Sequence, residues 1–235
     1  MDQQRIDQLN KVVQNVGMTD SLQDLNLLNQ AFIHPTYAME RKLAPGADNQ
    51  RLEFLGDAVL GLVVGELLYR EYPQRAEGDL TSIRAVAVSE VTLSLLAREA
   101  GLSEFLLLGR GEEKTGGRYR ASILADAFEA FLGALYLQMP FDELSSYITS
   151  VFRPVICQII QSGYKDPKTQ LQEMAQESHK KSVTYRVLEE SGPDHDKTFT
   201  AAVVWEDEII AVGRGKSKKE AERNAAEQAI HHFRV

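Results

Sequence analysis

The sequence predicts a multidomain chain, an all-α domain followed by a small α+β domain in the order helix, strand, strand, strand, helix. Three observations carry this. Apolar residues recur at helical spacing through the first 160 residues. Ser162-Gly163 interrupts that pattern. Beyond it, residues 183–190 and 198–205 alternate apolar with polar or carry β-branched side chains, as strands do. The expected boundaries are 1–161 for the first domain, 162–166 for a linker and 167–235 for the second. A chain of 235 residues is long enough for both cores.

The elements follow in order. Ile6, Leu9, Val12, Val13 and Val16 mark a helix over 3–16. Asp20-Ser21-Leu22 reads as a cap and start, with Leu25, Leu28 and Phe32 continuing one face. His34-Pro35 marks a break, and 38–48, with Pro45-Gly46, a loop. Arg51 to Tyr72 is a long apolar helix closed by Pro73. Gly78-Asp79 opens a helix over about 79–100. Residues 109–120, rich in glycine and arginine, read as a flexible basic loop, followed by helices over Ser122–Leu137 and about 141–160. In the second domain, helices are expected over 168–178 and Ser217–Phe233, the latter with Ala221, Ala225, Ala226, Ala229 and Ile230 on its buried side. Glu206-Asp207-Glu208 is turn-like and precedes a third strand over Ile209–Val212.

Composition excludes some classes. No apolar run approaches the roughly 20 residues of a membrane span, the N-terminus has no basic region followed by an apolar core, and the single Cys157 cannot form an intramolecular disulfide. Together these predict a cytoplasmic chain without a membrane partner. The net charge of −8 is unevenly spread. Residues 1–160 hold 14 Lys and Arg against 21 Asp and Glu, whereas 161–235 hold 12 against 13. Arg214, Lys216, Lys218 and Lys219 form a local positive run with no acid among them.

Two helices carry acids where an apolar run would be expected. Glu53 and Asp57 stand at i and i+4 in one, and Asp126 and Glu129 at i and i+3 in the other. Either spacing places both carboxylates on one helix face. For one pair alone, a solvent-facing stripe is the commoner reading. Two such helices shift the balance, because Gly56, Ala58, Gly61, Ala127, Ala130 and Gly133 suggest close helix packing beside the acids. Such carboxylates must meet a cation or water; if the two helices face each other all four converge, and an all-oxygen set suits Mg²⁺. A di-iron bundle would need Glu-x-x-His motifs, and none occurs. Glu77 is a fifth acid, equally readable as an N-terminal helix residue favoured by the helix dipole.

These segments resemble the ribonuclease III family. Asn49 to Leu60 is similar to its signature segment, Glu77-Gly78-Asp79-Leu80-Thr81 to a second acidic motif, and Gly109 to Glu113 with Gly116 to Ala130 to a third. Phe32 to Tyr37 resembles an upstream histidine segment. Residues 168–173, 192–195 and 213–222 resemble, in order, the three RNA-facing regions of a double-stranded RNA-binding domain.

The resemblance implies a homodimeric, Mg²⁺-dependent endonuclease, with Mn²⁺ able to substitute, that cuts double-stranded RNA to 5′-phosphate and 3′-hydroxyl ends. Ribosomal RNA precursors would be among its substrates. It implies that Asp57, Glu129, Glu53 and Asp126 are catalytic, with Glu53, Asp126 and Glu129 on the metal and Glu77 an accessory acid. Phe54 would contact the partner subunit, and Gln172, Gln176, His195, Lys216, Lys218 and Lys219 would meet RNA. Such domains read A-form shape across minor grooves and the phosphates between them. Gln50 departs from the Glu usual in the family. A non-cleaving RNA-binding regulator is the main rival, and four intact carboxylates argue against it.

Overall fold

The computed structural model describes residues 1–15, 24–162, 167–179, 182–192 and 197–231. The chain divides into two compact units, residues 1–74 with 83–162 and residues 75–82 with 163–235. The expected cap at Asp20-Ser21-Leu22, Val16, Phe233 and most of the linker lie outside the described residues.

In the first unit, helix α1 (Gln3–Asn15) is followed by α2 (Leu25–Gln30), whose cap is Asp24, accepting from the Asn26 and Leu27 amides. Pro35 does more than break a helix. It opens α3 (Pro35–Glu40), where its missing N–H costs nothing, and His34 caps that helix. The centre of the unit is α4 (Gln50–Glu71) against α8 (Ala121–Tyr136), with α9 (Phe141–Gln161) also on α4. Cover from two sides explains why α4 is apolar over most of its circumference. Phe128 meets Phe152 of α9 edge-on, and Phe131 packs near Phe32.

The expected helix over 79–100 is two helices, α5 (Glu77–Ala87) and α6 (Glu90–Glu99). Ser89 separates them, because its hydroxyl caps α6 by accepting the Thr92 amide. Residues 109–120 are also not a loop throughout. They hold a short helix α7 (Arg110–Lys114) and a 3₁₀ turn at Gly117–Tyr119. The arginines are matched with acids: Arg110 with Glu40, Arg118 with Glu113, and Arg120 with Glu112. Arg118 also reaches the Ser103 carbonyl at 2.6 Å.

The second unit contains α10 (Pro167–His179), β1 (Thr184–Ser191), β2 (Thr198–Trp205), β3 (Glu208–Gly215) and α11 (Lys218–Ile230). The strands form an antiparallel sheet in the order β1-β2-β3. Glu206 and Asp207 both have positive φ, the geometry a two-residue hairpin needs between Trp205 and Glu208. Val203, Leu171 and Ala175 join Ala225, Ala226, Ala229 and Ile230 in one core. Alanines face the sheet because β3 lies against α11. A Cβ on Gly213 would overlap the Ala225 amide.

The same logic governs α4 and α8. A Cβ on Gly56 would overlap the carbonyl oxygen of Glu129, and one on Gly133 that of Leu52. The two backbones therefore touch through glycines. Ala58 and Gly61 play no part in this contact, since Ala58 is exposed and Gly61 has open space around it. Gly56→Ala should force the helices apart and cost about 1–3 kcal/mol. A urea midpoint equal to that of the unsubstituted chain would contradict the close crossing.

Candidate active site

The glycine contact fixes where the acids go. Glu53 lies one turn before Gly56 and Asp57 immediately after it, while Asp126 and Glu129 come from the facing stretch of α8. Glu53, Asp126 and Glu129 are half-buried and Asp57 is exposed. The four act on one another. The Glu129 carboxyl is pushed up to about 7, first by burial and then by Asp57, Glu53 and Asp126. Burial, then Asp126 and Asp57, raises Glu53 above the usual carboxylate range. Burial also raises Asp126, and Glu90 adds to it.

These shifts share one physical cause. Negative charges are gathered close together in a partly desolvated place. Among the described residues no three His, Cys, Asp or Glu side chains stand gathered as a ready ligand set. The carboxylates are within electrostatic range rather than in ligand contact. The chemistry of the donors fits a hard divalent ion, which takes few carboxylates and keeps several waters.

Glu90 is the acid that sequence reasoning missed. Running one helix through 79–100 gives it no special place, whereas the Ser89 cap makes it the first residue of α6, which packs on α8. Glu77 is exposed, and its carboxylate accepts the Thr81 hydroxyl at 2.9 Å within α5. Gln50 begins α4, and its amide donates to Asp48 Oδ1 at 3.2 Å. That bond uses the Gln50 backbone and makes no demand on the charge of its side chain.

Two matches with known proteins cover most of the chain. Residues 24–155 match the family model described as Ribonuclease-III-like, and residues 167–232 that described as Double-stranded RNA binding motif. The chain belongs to the ribonuclease III family. Ribonuclease 3 of Syntrophomonas wolfei is 48% identical over 204 residues, 87% of each chain. Ribonuclease 3 of Bacillus licheniformis is 43% identical over 239 aligned positions, covering 100% of this chain and 95% of that one. A nuclease domain of ribonuclease III from Campylobacter jejuni superposes with a TM-score of 0.56 at 37% identity, covering 62% of this chain and 96% of that one.

The double-stranded RNA-binding motif has its own candidate face. Gln172 and Gln176 lie one turn apart on α10, the first half-buried and the second exposed. Lys216, Lys218 and Lys219 are exposed at the start of α11. One first-turn amide and the amide just before the helix are engaged. Ser217 accepts the Glu220 amide at 3.2 Å, and Glu220 accepts the Lys216 amide at 2.6 Å. His195 lies outside the described residues.

Glu129 gives a pH test of the electrostatics. Its folded pKa, about 7, lies above the ordinary value of 4.5. Between those values the folded chain holds more protons than the unfolded one, so stability falls as pH rises from about 4.5 to 7. Glu129→Gln removes that loss. In EDTA at pH 8 its Tm should exceed that of the unsubstituted chain by about 2–4 °C, allowing for a half-exposed group. At pH 4.5 the difference should vanish, and Tm curves that run parallel across this range would refute the assignment.

Proposed function

We propose that this double-stranded RNA endoribonuclease uses Mg²⁺ held by Glu53, Asp126 and Glu129 to hydrolyse phosphodiester bonds, leaving 5′-phosphate and 3′-hydroxyl ends. The observation that carries the reading is the meeting of two carboxylate pairs at a glycine crossing. When bound, the ion supplies a nucleophilic water at neutral pH and offsets charge on the phosphate. The half-buried carboxylates hold it in place, and their raised pKa values mean that ion and proton compete for them. Asp57 is the most open of the four, and it would accept a hydrogen bond from the attacking water. Glu77 serves as an accessory acid. Mn²⁺ substitutes, because it accepts the same oxygen donors.

The functional form in this reading is a cytoplasmic homodimer. Phe54 is 80% exposed, Leu62 60% and Tyr69 75%, all on one side of α4. A pocket of about 330 Å³ at the Phe54 end of α4 is lined by Leu27, Leu52, Leu55 and Leu137 with Gln30 and Arg51. A two-fold contact placing each Phe54 against the partner would cover both features. Among the described residues no single helix is long and apolar enough to cross a membrane. The domains are 1–161 and 167–235, joined by a linker at 162–166, and RNA is gripped by Gln172, Gln176, His195, Lys216, Lys218 and Lys219. Ribosomal RNA precursors and other structured transcripts are the proposed substrates.

The direct test is Glu129→Gln, which keeps volume and removes one charge. Double-stranded RNA affinity in a gel-shift assay should stay near that of the unsubstituted chain, while cleavage falls by orders of magnitude, about the several kcal/mol a metal contributes. Unimpaired cleavage at limiting Mg²⁺ would remove Glu129 from the site.

The lysines make a separate prediction. Changing Lys216, Lys218 and Lys219 together to Ala should weaken binding to any duplex sequence. It should also flatten the slope of log K against log salt by up to about 0.7–0.9 for each phosphate left unneutralised. An unchanged slope would show that these side chains do not touch phosphate.

A further inference from the structure

One short segment, residues 32–36, bonds both to the residue that caps α4 and to the chain upstream of α7 and α8. On one side, the Asn49 amide donates to the Ile33 carbonyl at 2.9 Å, and the Asn49 carbonyl accepts the Glu53 amide at 2.9 Å. On the other, Ile33 and Leu107 form a parallel bridge. The Leu107 amide donates to Phe32 at 2.8 Å and the His34 amide to Leu107 at 3.0 Å. The chain then runs from Gly109 through α7 and the 3₁₀ turn into α8.

The link at Gly109 passes through two side chains. The Gly109 amide donates to Thr36 Oγ1 at 3.1 Å, and Thr36 Oγ1 lies 2.7 Å from His34 Nδ1. The Thr36 amide also points at Nδ1, at 3.3 Å, so Nδ1 carries the lone pair. The Thr36 hydroxyl therefore donates to Nδ1, which leaves its oxygen free to accept from Gly109. The relay needs a neutral His34 with its proton on Nε2, and burial holds its pKa below the ordinary value. Glu112 and Arg120 from the segment before α8, and Asp48 from the residues before α4, are the charged groups acting on His34. Space enforces the same contact, since a Cβ on Gly109 would lie 2.9 Å from the Thr36 carbonyl oxygen. One residue on, the Arg110 amide donates to Glu40 of α3 at 2.7 Å.

We infer that Thr36 and His34 are positioning residues for cleavage: their relay to Gly109, on a segment that also holds Asn49, fixes the two helix entries and with them the spacing of the four carboxylates. Neither side chain touches the acids. The inference rests on the proposed metal reading.

The test compares Thr36→Val, which keeps shape and loses the hydroxyl, with Thr36→Ser, which keeps the hydroxyl, and with Glu129→Gln, all in the full chain. Three quantities are read: Gly109 amide exchange by ¹⁵N-glycine NMR, Mn²⁺ binding by electron paramagnetic resonance, and cleavage of a duplex RNA. Thr36→Val should speed Gly109 exchange, weaken Mn²⁺ binding and lower kcat, each by roughly tenfold, the effect of one hydrogen bond, with KM unchanged. Thr36→Ser should restore all three. A Thr36→Val chain with a lower Tm but normal Mn²⁺ binding and kcat would reduce the relay to a structural role and overturn the inference. So would failure of Thr36→Ser to rescue. If instead Glu129→Gln binds Mn²⁺ normally, the metal reading itself falls.

Discussion

The structure of the first unit depends on one constraint, the backbone contact between α4 and α8 at Gly56 and Gly133. Side chains normally hold helix axes about 8–10 Å apart. Removing the Cβ from both partners brings Glu129 and Leu52 carbonyls against the opposite glycines, so the acids next to them share one electrostatic environment. The core enforces the contact from behind. Val59, Leu60, Val63 and Val64 on α4 and Phe128, Phe131, Leu132 and Leu135 on α8 are all buried. Hydrophobic burial therefore works against charge repulsion, and the raised pKa of Glu129 is the trace of that opposition.

The two units differ in their electrostatics. The first gathers negative charge in a half-buried place, and the second offers Lys216, Lys218 and Lys219 at an exposed helix start. A polyanion and a cation can both be accommodated by such a chain, despite its net charge of −8. The arginines at 110, 118 and 120 lie in the segment that leads into α8. Each is matched with a glutamate, and together they stiffen the approach to α8.

Much of this was legible in the residues, for identifiable reasons. Helices with long apolar runs, such as α4 and α8, announce themselves by periodicity, and the acids stand out because they interrupt it. The sheet of the second unit follows from alternation and the Glu206-Asp207 turn. What escaped depends on contacts distant in sequence. The break at Ser89 needs a hydroxyl to find the Thr92 amide. The order in 109–120 comes from Glu40, Ser103 and Thr36, residues a local reading cannot place beside it. Of the small residues beside the acids, Ala58 and Gly61 read the same as Gly56, and only the packed helices tell them apart.

The account turns on whether these carboxylates hold one ion between the two helices. Crystals of the chain grown with Mn²⁺, measured for anomalous scattering at the manganese edge, answer this directly. The account predicts a peak within about 2–2.6 Å of oxygens from Glu53, Asp126 and Glu129, the range in which hard divalent ions are held. Manganese bound elsewhere, or reached by only one of the two helices, would contradict it.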